Sequence, residues 1–206
     1  MSDIGRGATP CRENVAVVVL AAGSSRRLGQ PKQLLAYQGS TLLDVTLDQV
    51  RSFGFSQQIV TLGGAAPEVR DQVDLTGFDL VDSVHHTDGC SSSIVSAIHS
   101  IDVNAVGFLL FLGDQPHVST AAVDALLKAA VTSDIAVIDY RNTTGHPFWF
   151  SRSMFGPLGG LHGDKAVWKL LESGDFATAR AKVDADVPLD VDTWDDYQTL
   201  LTDGGG

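Results

Sequence analysis

Apolar runs rich in β-branched residues alternate along this chain with stretches in which apolar positions recur every three to four residues. Val15 to Ala22 is a continuous apolar run of strand length, the pattern of a strand buried on both faces. Leu42 to Phe53 has helical period, so the two open a β–α–β unit. The alternation continues with a strand over Gln58 to Leu62, a short helix over Ala66 to Val73 and a strand over Asp79 to Val84. A helix over Ser93 to Ile101 follows, for which the cluster Ser91-Ser92-Ser93 offers an N-cap. Val106 to Leu112 is a second strongly apolar strand, succeeded by a helix over about Thr120 to Val131 and a strand over Asp134 to Tyr140. Beyond Tyr140 the pattern loosens: Phe148-Trp149-Phe150 reads as a strand, Lys165 to Glu172 as a helix, and Trp194 to Leu201 as a closing helix after Thr193. Alternation of this kind predicts a three-layer α/β fold with a mostly parallel central sheet.

A chain of 206 residues with 44% apolar composition can bury a substantial core. Residues 1–14 lack periodicity and the chain closes on Asp203-Gly204-Gly205-Gly206, so one domain over 15–202 is expected, with a flexible extension before it and a short tail after it. No apolar run of about 18 residues occurs, and Met1 to Asn14 carries charge and glycine where a signal peptide needs an apolar stretch. A cytoplasmic protein with no membrane segment is expected. Cys11 and Cys90 are too few for a disulfide framework and lack zinc-ligand spacing, which fits free thiols. The formal net charge of -11 repels nucleic acid and anionic membrane surfaces, while a small anionic ligand remains compatible with a few local cations.

Those cations lie in the segment Leu20-Ala21-Ala22-Gly23-Ser24-Ser25-Arg26-Arg27-Leu28-Gly29-Gln30-Pro31-Lys32. Gly23 and Gly29 permit close backbone approach, and Arg26, Arg27 and Lys32 add charge at the end of a buried strand, where exposed amides already favour anions. Neither G-x-x-x-x-G-K-[ST] nor G-x-G-x-x-G is present. Asp114, in Gly113-Asp114-Gln115-Pro116, follows an apolar strand and is either a Mg²⁺ ligand or a turn-forming, helix-capping residue. Asp190 and Asp192 alternate on an extended segment, so their side chains are expected to share a face and supply a second metal ligand; the competing role is capping of the closing helix. His85 and His86 are adjacent and would point apart on a strand. His146, fixed between Gly145 and Pro147, is either a substrate contact or part of a structural turn, and Asp164 and Lys165 are a helix cap and phosphate contact or an ordinary helix start.

Together the segments Leu20 to Gly23, Lys32 to Leu35, Gly89 to Ser93, Gly113 to Pro116, Gly145 to Pro147, Gly163 to Lys165 and Asp190 to Thr193 resemble the molybdenum cofactor cytidylyltransferases, members of the Rossmann-like nucleotidyltransferases. The likeness runs from about Val15 to Leu201. It implies transfer of CMP from CTP to the terminal phosphate of Mo-molybdopterin, with pyrophosphate released and the product passed to a recipient molybdenum hydroxylase. By matching position, Leu20, Ala21, Ala22 and Gly23 with Arg27 and Lys32 would hold the triphosphate, and Asp114 and Asp192 would hold Mg²⁺. The base would lie near Gly63, Gly64 and Ser91 to Ser93, with Ser92 central. His146, Asp164 and Lys165 would serve the acceptor. Ala22 points to CTP, because guanylyl members tend to have a second glycine there. The family usually has methionine where Leu28 and Cys90 stand. Catalysis would rest on charge neutralisation by Arg27, Lys32 and Mg²⁺ and on in-line positioning, without a protein general base. The rivals are a GTP-using molybdopterin guanylyltransferase, a nucleotidyltransferase acting on another phosphorylated metabolite, and a non-enzymatic molybdenum cofactor carrier.

Overall fold

The structure, a computed structural model, describes residues 9–25, 27–83, 90–163 and 166–203. Arg26, Val84, His85, His86, Gly89, Asp164 and Lys165 lie outside the described residues, together with the expectations placed on them. In chain order the elements are β1 (Val15–Ala21), β2 (Ala36–Tyr37), β3 (Ser40–Thr41), α1 (Leu42–Ser52), β4 (Gln57–Leu62), α2 (Ala66–Gln72), β5 (Asp79–Asp82) and α3 (Cys90–Ile98). They continue as β6 (Gly107–Leu112), α4 (Thr120–Ala129), β7 (Ile135–Asp139), β8 (Thr144–Ser151), α5 (Phe155–Gly159), α6 (Ala166–Ser173), β9 (Thr178–Lys182) and α7 (Trp194–Asp203).

Among the described residues one sheet of seven strands runs in the order β5-β4-β1-β6-β8-β7-β9. Every neighbouring pair is parallel except those of β8, which is antiparallel to both β6 and β7. The unbroken apolar run of β1 follows from its place in the middle of a sheet covered on both faces. Val15, Val17, Val19 and Ala21 pack with Leu43 and Leu47 of α1, Val69 of α2 and Leu126 of α4. Ala16 and Val18 face the other way, against Ile94 and Ala97 of α3, Leu158 of α5 and Val167 of α6. Alternation with a period of two thus sorts one strand between two helical layers.

The largest differences from the sequence expectations occur where tertiary partners override local signals. Helix α3 begins at Cys90, so Ser91, Ser92 and Ser93 lie in its first turn and do not cap it from outside. Ser93 Oγ instead donates to Ser83 Oγ at 3.0 Å, beyond the end of β5. Strand β8 starts at Thr144, four residues before the aromatic run, and carries His146 within it. Its register against β7 shifts between the pairs Ala136–Trp149 and Ile138–Gly145, which accommodates Pro147, a residue with no N–H for the ladder. The edge strand β9, Thr-Ala-Arg-Ala-Lys, has too little β-branched or alternating character to be read from sequence. The two-residue strands β2 and β3 are joined by Gln38-Gly39, both with positive φ, a hairpin turn too short to leave a periodic signal.

A third apolar cluster determines the site. Leu28, Leu35, Tyr37 and Leu42 pack with Val191 and with Leu200 of α7, which holds the first loop against the segment that leads into the closing helix.

Candidate active site

Strands β4, β1 and β6 are parallel, so Leu62, Ala21 and Leu112 all deliver their following loops to one edge of the sheet. Strand order changes direction beside β1, and a crevice at the carboxyl ends is the expected ligand site of such a sheet. The loop after β1 folds on itself: Ser25 adopts φ 48° and Gly29 φ 71°, and the Lys32 amide donates to Ser25 Oγ at 2.9 Å. Gly29 is thus required by its backbone conformation. A short 3₁₀ turn over Lys32–Leu34 then points Lys32 back across the loop.

Lys32 Nζ donates to Asp114 Oδ2 at 2.5 Å and to Asp192 Oδ1 at 2.8 Å. Arg27 Nη1 stands 3.5 Å from Asp192 Oδ2 and is largely exposed. Burial opposes the charge on Lys32, but the Asp114 and Asp192 carboxylates more than offset it and hold the ammonium above its ordinary pKa. Burial pushes the Asp114 carboxyl up, the Lys32 ammonium pulls it back, and the Asp190 carboxylate adds to the upward push. Two carboxylate oxygens therefore converge on one cationic atom, with a second, exposed cation, Arg27, beside Asp192. Among the described residues no group of three or more His, Cys, Asp or Glu side chains converges. Two carboxylates are nonetheless what Mg²⁺ ordinarily takes from a protein when phosphates and waters complete its shell.

Gln33 is a structural member of the site that its sequence context does not reveal. Its buried carboxamide donates from Nε2 to Ala21 O at 2.6 Å and to Gly23 O at 3.1 Å. Those two carbonyls are thereby neutralised where they would repel a phosphate. On the β4 side, a Cβ on Gly63 would stand 2.3 Å from Ala22 O, so only glycine lets the end of β4 abut the first loop. Ser83 follows β5 there, with its amide donated to Leu62 O at 2.8 Å and its Oγ 3.5 Å from Ser92 Oγ. Gly63 and Ser92 are thus brought to the same side of the loop.

The other side is different. A cavity of about 360 Å³ is lined by Leu20, Leu112, Gln115, His146, Trp168 and Asp190, among others. Leu20 accordingly contributes its side chain to this cavity, on the flank opposite Gly63. The His146 ring stacks on Phe148 at 4.0 Å between centroids, and Trp168 meets both rings edge-on. Burial pushes the His146 imidazole down to about 3, so it is neutral near pH 7. Asp190 and Asp192 both lie near Asp114: Asp192 shares Lys32 with it, and the Asp190 carboxylate raises its pKa. Val191 between them is fully buried and donates its amide to Asp114 O at 3.3 Å; Asp192 reaches Lys32, and Asp190 borders the cavity.

A carboxyl-edge loop with paired cations, an aspartate after the adjacent strand and a second acidic segment is the arrangement of an enzyme that moves phosphoryl groups. Residues 17–181 match the family described as the MobA-like NTP transferase domain. The chain belongs to this family. It is a nucleotidyltransferase. The MobA-like fold is seen at TM-score 0.87 and 53% identity in the homologue of Mycobacterium tuberculosis Rv0371c from Mycobacterium sp. strain JC1, over 92% of this chain and 96% of that one. Rv0371c of M. tuberculosis, solved in complex with manganese, is 45% identical with TM-score 0.82, over 92% of this chain and 98% of that one. Among curated relatives, the purine catabolism protein PucB of Bacillus subtilis is 29% identical, over 89% of this chain and 94% of its own length. The molybdenum cofactor cytidylyltransferase of Escherichia coli is 24% identical over 88% and 93%. A probable molybdenum cofactor guanylyltransferase of Natranaerobius thermophilus is 27% identical over 56% and 55%.

Proposed function

We propose that this MobA-like enzyme transfers a nucleoside monophosphate from a nucleoside triphosphate to the terminal phosphate of Mo-molybdopterin. The observation that carries this reading is the Lys32 ammonium held between Asp114 and Asp192, next to a cavity whose described lining contains no cation. One end of the site therefore suits polyphosphate and the other suits an uncharged ring. The relatives named for cytidylyl and guanylyl transfer to the molybdenum cofactor support the acceptor class.

An oxygen of the acceptor phosphate attacks the α-phosphorus, a P–O bond forms, and the bond to the β-phosphate breaks to release pyrophosphate. Both reacting groups are anions, so the protein's work is to cancel charge and hold them in line. Lys32, fixed by Asp114 and Asp192, would meet the α-phosphate, and the exposed Arg27 would meet the β- and γ-phosphates. The loop from Ala21 to Gly23, with its carbonyls occupied by Gln33, presents its backbone to the triphosphate. Asp114 and Asp192 would hold Mg²⁺, and the manganese complex of Rv0371c supports a divalent ion in a relative. When bound, such an ion supplies charge stabilisation to the α-phosphoryl group and the departing pyrophosphate. No general base is needed, because a phosphate nucleophile is already deprotonated near neutral pH.

The donor is CTP or GTP. Ala22 supports CTP by resemblance, while relatives of both specificities support the two donors alike. The test is pyrophosphate release by the purified protein with Mg²⁺, Mo-molybdopterin and each of the four nucleoside triphosphates. Release with CTP assigns cytidylyl transfer, and release with GTP but not CTP assigns guanylyl transfer. No release with any triphosphate sinks the acceptor assignment.

A further inference from the structure

The Lys32 ammonium and a divalent cation ask for the same carboxylates. Lys32 Nζ takes Asp114 Oδ2 at 2.5 Å and Asp192 Oδ1 at 2.8 Å, and these are the two side chains assigned above to Mg²⁺. An ion that used both would compete with Nζ for that pair, and the two positive charges would repel across it. One must yield to the other.

Burial explains why the position is kept filled. Asp114 is 8% exposed, and a buried carboxylate without a counter-charge is costly, so the ion pair with Lys32 stabilises it. The main chain of Lys32 is pinned, because its amide donates to Ser25 Oγ at 2.9 Å and its carbonyl accepts from the Leu35 amide at 3.2 Å. Its side chain is less constrained. The four-carbon stem runs beside Gly23, where an added Cβ would still stand 3.9 Å from Cε. Rotation about the stem is therefore enough to carry the ammonium from the carboxylates to the loop that faces the phosphates, with no movement of the backbone.

We propose that Lys32 is the resident counter-ion of the divalent cation site and gives up Asp114 and Asp192 only when phosphate oxygens arrive to receive its ammonium. This rests on the assignment of Asp114 and Asp192 to the cation. Without a triphosphate, a displaced Lys32 would face a dication with no anion of its own. With one, both positive charges are paired. Metal and nucleotide are thus coupled through one side chain, and such coupling is reciprocal.

The experiment titrates Mn²⁺ alone into nucleotide-free wild type, Lys32→Met and Lys32→Gln, reading the free ion by electron paramagnetic resonance, with thermal melts to confirm folding. Mn²⁺·CTP and Mn²⁺·GTP are titrated by calorimetry in parallel. Both uncharged variants are expected to bind Mn²⁺ alone about tenfold or more tightly than wild type while losing affinity for the metal–nucleotide complexes. Adding Asp114→Asn to Lys32→Met should remove the gain. A general loosening of the site would weaken both ligands, so the opposite signs are diagnostic. Equal or weaker Mn²⁺ affinity in both variants overturns the exchange. So does a wild-type Kd for Mn²⁺ alone of about 10 μM or below, a measurement that needs no variant. Asp114→Asn alone judges the cation assignment: unchanged affinity for both metal–nucleotide complexes defeats that assignment and the exchange with it, whereas weakened affinity without a gain in the Lys32 variants defeats the exchange only.

Discussion

At the carboxyl edge of the sheet, Arg27, Lys32, Asp114 and Asp192 are linked by contacts of 2.5 to 3.5 Å, whereas the cavity on the far side of Leu20 is walled by aromatic and aliphatic groups around a neutral histidine. The two regions are neighbours that recognise by different physics. The charged end acts through Coulomb interactions, which are strong where Lys32 and Asp114 are desolvated and which salt screens at exposed Arg27. The cavity acts through shape and through hydrogen bonds that only the right ring can complete. In the proposed reaction, a transfer of a nucleoside monophosphate with release of pyrophosphate, the charged end serves the triphosphate, and the described lining of the cavity holds no cation to compete for it.

The largest expected break in this comparison is Asp114→Ala. It removes the buried carboxylate from the charged end, and pyrophosphate release should fall by at least about a hundredfold while circular dichroism stays native. Leu28→Ala comes next. Leu28 is 4% exposed and packs in the cluster with Val191, so its loss should cost about 2–5 kcal/mol in chemical denaturation. Because that cluster holds Asp192 beside Lys32, the Mg²⁺ concentration needed for half-maximal activity should rise as well. The smallest effect is expected from His146→Phe. Burial lowers the imidazole from its ordinary value of 6.5 to about 3, so between those values the unfolded chain binds a proton that the folded chain does not. Wild-type stability should therefore fall as pH drops from about 6.5 toward 3, and the variant's melting temperature should be flatter across that window.

The charged end was largely legible before folding. The run Val15 to Ala22, the glycines of the following loop and Asp114 after the strand that ends at Leu112 are local signals, each carried by a few consecutive residues. Gln33 escaped because nothing next to it distinguishes a buried glutamine that binds two carbonyls from a solvated one. The serine cluster misled for a related reason: serine before an apolar helix usually caps it, but Ser93 finds Ser83 across ten residues and is drawn into the first turn of α3. The cavity was legible only at His146. Trp168, Gln115 and Asp190 come from a helix, a tight turn and an irregular segment, and no spacing rule links them.

Sequence alone determined the longer strands and helices from β1 to β7 and the place of the phosphate loop, because apolar periodicity and the conformational demands of glycine and proline act over short stretches. The tertiary structure decided which aspartates meet the cation. Lys32 and Asp192 are separated by 160 residues, and they meet because Leu28 and Val191 share one apolar cluster. Once Val191 is buried there, Asp192 is held beside Lys32.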